Sequence, residues 1–250
     1  MTLREEIKRE RKKFLATATP KEKWSYFCDY YGLLTVVCIV IAFLVTWVVV
    51  DTVTRPEVLL NGAFINVPSD RAQHSDELGD NFLKAQKIDT EKYTASFGTG
   101  LTLLNGDMVS SYESSQALMT QASAGTLDII GGPNKQLLDY AYSGLFTDLR
   151  TVLTEEELEA YKPYLHYIDE AVVEERQELE DKMESYADIK LPDTQNPDAM
   201  KKPIPIFIDM EGNEKMGPVY GNTSDLIVGV SVNYPNKDMT RKFLQYLLQE

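Results

Sequence analysis

The run Tyr30–Val50, YYGLLTVVCIVIAFLVTWVVV, limits this chain more than any other stretch. Asp29 and Asp51 bracket it, and between them lies neither a charge nor a proline. A bilayer core of roughly 30 Å takes about 20 apolar residues of helix, so the run reads as a transmembrane helix contacting lipid. It separates a short basic head from a long acidic body. Residues 1–50 carry eight Lys/Arg against five Asp/Glu, a net of +3, and the rest carry 17 against 34, a net of −17. Basic residues beside a span stay cytoplasmic. The expectation is a single-pass protein of the cell membrane with its N-terminus inside and its body outside. An acidic body also excludes nucleic acid as a partner, since phosphate binding needs clustered positive charge.

A cleavable signal peptide is the rival reading. Against it, the apolar run exceeds the usual 7–15 residues of such a segment. The region before it is long and mixed in charge, and the exit DTVTRPEV holds no A-x-A-like site. Both cysteines, Cys28 and Cys38, lie in or beside the span. The body therefore has no disulfide and must rest on a packed core.

The chain divides into a basic head (1–29), the span (30–50), a tether (51–57) and a body (58–250) with a charged helical and loop insertion at about 155–203. In the head, Leu3, Ile7 and Phe14 fall at helical spacing among basic residues, which suits the inner membrane surface. A solvated charged helix accounts for residues 1–19 equally well. Residues 1–31 read as helical, with Pro20 breaking that helix or starting another. Trp24, Tyr26, Phe27, Tyr30 and Tyr31 mark one membrane interface and Trp47 the other.

In the body, strands are expected at 58–67, 93–104, 127–130, 203–210 and 226–233. Helices are expected at 76–87 with Ser75 as cap, 115–124 capped by Ser114 and ended by Gly125, 134–143 ended by Gly144, and 238–250. Thr154-Glu155-Glu156-Glu157 fits a capping box opening a further helix. Residues 166–190 read as partly helical and 191–203 as a proline-rich loop, while Asn105-Gly106-Asp107 reads as a turn. Alternating strands and helices predict an α/β fold, a single open sheet with right-handed crossovers.

Chemistry is sparse. His74 and His166 are far apart in sequence and read as surface residues, so no metal site is expected. Gly98-Thr99-Gly100 begins like a dinucleotide fingerprint, but Leu103 stands at the third glycine position and a strand bend explains it better. Asp209, Glu211 and Asn213 lack the glycine of a calcium loop, having Glu214 there, and read as a hairpin turn. The glutamates of 155–184 read as a solvated face. No nucleophile elbow, Walker loop or H-E-x-x-H occurs, so no catalytic residue and no cofactor is expected. Ligands of open α/β sheets bind beyond the carboxyl ends of the strands. That places Ser69 and Asp70 after the first strand, and Gly131, Gly132 and Asn134 after the strand at 127–130, at a candidate binding edge. Glycines before a helix expose N–H groups that suit an anion or carboxylate. They equally make a tight strand-to-helix turn.

The stretch Gln116–Leu153 resembles bacterial extracellular solute-binding proteins. The motifs are Ala124-Gly125-Thr126-Leu127-Asp128-Ile129-Ile130 and Gly144-Leu145-Phe146-Thr147-Asp148-Leu149. The chain as a whole looks closer to short membrane-anchored proteins of Gram-positive bacteria, through Tyr26-Phe27-Cys28-Asp29-Tyr30-Tyr31 before the span and the terminal segment Leu226–Leu248. The resemblance implies one lobe of a periplasmic-binding-protein fold, where solute-binding proteins close two lobes on a ligand. It implies a binding or sensory module, accessory to a transporter or sensor, with a small-molecule or peptide ligand. The alternative is a structural partner of a membrane protein complex, with no small ligand.

Overall fold

The computed structural model describes residues 3–103, 108–186 and 188–249, and the chain falls into two compact units divided between Arg55 and Pro56. The expected turn at 105–107 lies outside the described residues.

The first unit is two helices, α1 (Leu3–Thr17) and α2 (Pro20–Thr54). The head divides at Pro20, as expected, and Pro20 starts the second helix. Thr19 is extended, its hydroxyl accepts from the Glu22 N–H at 3.4 Å, and Glu22 accepts from the Thr19 N–H at 2.7 Å. This capping box, with Pro20 in the first turn, starts a new helix. The 35 residues of α2 run unbroken through the apolar stretch, which is long and apolar enough to cross a membrane.

The second unit is built on one six-stranded sheet in the order β2-β1-β3-β6-β5-β4. Its strands are β1 (Glu57–Phe64), β2 (Tyr93–Gly98), β3 (Ile129–Pro133), β4 (Leu165–Asp169), β5 (Pro203–Asp209) and β6 (Leu226–Val230). β2, β1 and β3 are parallel, whereas β6, β5 and β4 each join antiparallel to their neighbour. The fold is therefore mixed α/β rather than alternating throughout. The body helices are α3 (Gln73–Ala85), α4 (Met108–Ser123), α5 (Asn134–Tyr142), α6 (Glu155–Tyr161), α7 (Glu170–Asp181), α8 (Gly217–Tyr220) and α9 (Lys237–Leu248).

Two apolar clusters cover the two faces. Leu60 and Phe64 of β1 meet Leu78, Phe82 and Leu83 of α3 and Phe243, Leu244 and Leu247 of α9. Their sequence neighbours Ala63 and Ile65 point the other way, to Leu118 and Ala122 of α4 and Leu137 of α5. This is the period-two alternation of a strand buried on both sides. Phe64 stacks on Phe97 at 4.7 Å, and Phe97 lies 4.9 Å from Phe243, so rings from β1, β2 and α9 share one core.

The 155–203 segment is no appendage. Its residues 165–169 form β4, an edge strand with Leu165 and Ile168 buried. A loop then returns across that edge. The Tyr167 N–H donates to Thr194 O at 2.7 Å and the Glu170 N–H to Lys202 O at 2.9 Å. Four local expectations are corrected. Ser75 and Ser114 lie inside helices: Ser75 Oγ donates to Ala72 O, and Ser114 Oγ accepts from the Thr102 N–H. The 211–213 turn is no tight hairpin, because α8 lies between β5 and β6. His166 is buried on β4, where Nδ1 lies 2.8 Å from Thr194 Oγ1 and Nε2 lies 3.2 Å from Gln195 Nε2 and 3.6 Å from Asp209. Only His74 keeps the partly exposed setting expected of both, paired with Glu77.

Candidate functional site

The sheet itself selects one edge. β5 is antiparallel to β6, and β6 to β3, so the carboxyl ends of β1, β2, β3 and β5 share a side. β1 and β3 are neighbours, yet their following connections leave in opposite directions. The connection after β1 leads to α3 on one face, and that after β3 leads to α5 on the other. Such a topological switch point is where open α/β sheets hold ligands.

The expected residues sit at or near this point in different settings. Ser69 and Asp70 are exposed, in the turn that follows Pro68. Gly131 and Gly132 are buried within β3 itself. A Cβ on Gly131 would stand 2.9 Å from Phe64 Cδ1, and one on Gly132 would stand 3.0 Å from Ile65 Cβ. These glycines are required by close packing against β1. Their carbonyl side is engaged too, since Gly131 O accepts from the Ile65 N–H at 2.8 Å and the Tyr220 hydroxyl at 3.1 Å. Burial pushes the Tyr220 phenol well above its ordinary range.

The glycine turn was expected to present helix N–H groups to an anion. The structure gives those groups to Asp225. Its carbonyl accepts from the Asn134 N–H at 2.7 Å, and its carboxylate accepts from the Lys135 N–H at 3.3 Å. Asp225 itself is in the left-handed region, with φ 61°. The α5 N-terminus is thus capped from within the chain. Asn134 adds a different feature. Its side-chain Oδ1 is buried with no hydrogen-bond partner among the described residues, and so is Gln136 Oε1 in the same turn. Buried acceptors are usually satisfied.

On the β1 side, Asn66 closes the strand end. With φ 61°, its amide donates to Leu103 O at 2.9 Å and accepts from the Leu103 N–H at 2.7 Å. Farther along the same edge, after β5, lies a cavity of about 660 Å³. Tyr164, Asp209, Glu211, Glu214 and Lys215 line it, together with the last turn of α9 and Gln249. Sequence reasoning missed this wall because Tyr164 just precedes β4 and Asp209 ends β5, strands paired across about 40 residues. The alternation of Asp209, Glu211 and Asn213 was its only signal.

The two motif acids noted from the sequence are structural. Asp128 is fully buried at the opposite edge. It accepts from the Asn61 N–H at 2.9 Å and the Asn236 N–H at 2.7 Å, tying β1 to the start of α9. Asp148 accepts from the Arg150 N–H at 2.9 Å and pairs with its guanidinium. Among the described residues, no group of three or more His, Cys, Asp or Glu is placed to hold a metal ion.

No protein-family model and no curated protein matches the chain. Among solved structures, the weak neighbours are solute-binding proteins. An ABC substrate-binding protein of Listeria monocytogenes in complex with cycloalternan is similar over 52% of this chain and 34% of its own, at 14% identity and a TM-score of 0.26. The apo-form of RafE from Streptococcus pneumoniae is similar over 50% and 33%, at 17% identity and a TM-score of 0.24. This chain spans about a third of the length of each. The α/β assignment rests on the sheet itself.

Proposed function

We propose that this chain is a membrane-anchored binding or sensory module, acting beside a transporter or sensor. In this reading α2 crosses the bilayer as an uncleaved anchor through Tyr30–Val50. The basic head stays inside and the acidic α/β lobe is held outside, as in the Gram-positive proteins the sequence resembles. The ligand is a small polar solute or peptide bound at the carboxyl edge, between the Ser69–Asp70 turn and the Gly131–Asn134 segment. The role is binding rather than catalysis, with no cofactor. The observation that carries the reading is the buried, unpaired Oδ1 of Asn134 beside the switch point. An acceptor without a donor is what a ligand's N–H or O–H group would satisfy.

The test is a thermal-shift screen of the full chain in nanodiscs against amino acids, sugars, peptides and anions. A solute at about 100 times its Kd should stabilise the lobe by about 2.7 kcal/mol, or several degrees in Tm. Asn134→Ala should abolish the shift. A shift that survives Asn134→Ala removes the proposed site.

A second reading is favoured by the Asn66–Leu103 clasp and the Asp225 cap, which fill the switch point with the chain's own groups. Here the lobe docks a membrane protein and takes no small ligand. No shift with any solute class, together with one co-purifying membrane protein, decides for it.

A further inference from the structure

The first unit holds an interaction surface that an anchor alone does not need. α1 carries six Lys/Arg against three Glu, and five of its cations fall within Lys8–Lys13. In the sequence Leu3, Ile7 and Phe14 recur at helical spacing, and Ile7 is 59% exposed. The break after α1 is built rather than incidental. The Thr19–Glu22 capping box and Pro20 end one helix and begin the next.

The position of that break is what matters. Trp24 stacks on Phe27 at 5.8 Å, Tyr26 on Tyr30 at 4.6 Å, and Phe27 on Tyr31 at 6.0 Å. Aromatic rings of this kind settle at headgroup level. Thr19 precedes Trp24 by five residues, or about 7 Å of helix rise. The chain is therefore free to turn where headgroups meet water. A helix starting there with a basic face and an apolar side fits the plane of the membrane surface.

We infer that α1 docks on an anionic bilayer surface, with its apolar side toward the acyl boundary and the Lys8–Lys13 cations among phosphate headgroups. Charge and continuity select this occupant. The helix is joined directly to the span, and its net charge is opposite to that of an acidic leaflet. The inference rests on the reading that α2 spans the bilayer, and the experiment separates the two.

The full chain is placed in nanodiscs of phosphatidylcholine alone, or with three parts in ten of phosphatidylglycerol, and amide hydrogen exchange is followed. Residues 3–17 should exchange about tenfold or more slowly in the anionic discs. High salt should remove the difference, and so should the combined change Lys8→Gln, Arg9→Gln, Lys12→Gln and Lys13→Gln. Residues 30–50 should be protected in every case. Equal exchange of 3–17 in both lipids, with 30–50 protected, overturns the docking inference alone. Loss of protection at 30–50 overturns the anchor, and the inference with it.

Discussion

The two halves of the sheet are held in different ways. β2, β1 and β3 are parallel and buried between α3 and α9 on one side and α4 and α5 on the other, with phenylalanine rings locking them together. β5 and β4 extend the sheet antiparallel, and its outer edge is closed by polar groups. Asp169 accepts from the N–H groups of Ala171, Lys201 and Lys202 at 2.8–3.1 Å. His166 grips Thr194 and Gln195. Burial would push the Asp169 carboxyl up, but those three N–H groups outweigh it and hold it below the usual range. Apolar crossovers make the first half rigid. The second half also buries Ile206, Phe207 and Ile208 of β5, but the loop along its outer edge is fastened at a few polar points, and such a segment opens locally before the rest unfolds.

Mutations that act on one half only would sharpen this contrast. Phe64→Ala empties the ring stack and should cost about 4 kcal/mol in a single cooperative denaturant transition. Two separate transitions would break the comparison, because the halves would then unfold independently. Asp128→Ala strands the Asn61 and Asn236 N–H groups and should cost about 3 kcal/mol, with no change in lipid or solute binding. Asp169→Ala should cost about 2 kcal/mol. Its mark is local: hydrogen exchange should quicken at 194–202 and leave β1 and β3 unchanged.

The smallest effect lies where α6 meets α9. Glu157 accepts from Arg241 Nε at 3.0–3.1 Å and from the Gln245 amide. Burial pushes its carboxyl up, but the Thr154 N–H, Arg241 and Gln245 outweigh that and hold it at about 2. A carboxylate depressed in the folded state stabilises above its unfolded pKa and loses that contribution as pH falls through the folded one. The window here is about 4.5 down to about 2. Arg241 is 41% exposed, so solvent screening leaves about 1 kcal/mol. Glu157→Gln should lose that amount at pH 7 and flatten the acid limb of the stability curve between those values.

The same contrast explains what was legible in the sequence. The Thr154 capping box, Gly125 and Gly144 after helices, and the apolar runs of β1, β3 and β6 announced themselves through local residues. β4 did not. Leu165-His166-Tyr167-Ile168-Asp169 is a strand only because β5 pairs with it, and charged helices flank it on either side. His166 was read as a surface residue for that reason. At the carboxyl edge, the strand-to-helix order was legible: α5 begins at Asn134 directly after β3. The sequence gives no sign that Asp225, 90 residues on, caps the helix there, or that Gly131 and Gly132 serve the packing of Phe64 and Ile65.

The central claim is that Tyr30–Val50 holds the lobe outside on an anchor that is not removed. It is tested most directly by labelling intact cells with a membrane-impermeant maleimide. Cys28 and Cys38 are first changed to serine, and a single cysteine is introduced by Thr17→Cys or Ser69→Cys. The account predicts that the Ser69→Cys chain labels in intact cells. The Thr17→Cys chain should label only after permeabilisation, and both should remain at full length in the membrane fraction. Labelling with the opposite sidedness, or a lobe recovered without its first 50 residues, would contradict it.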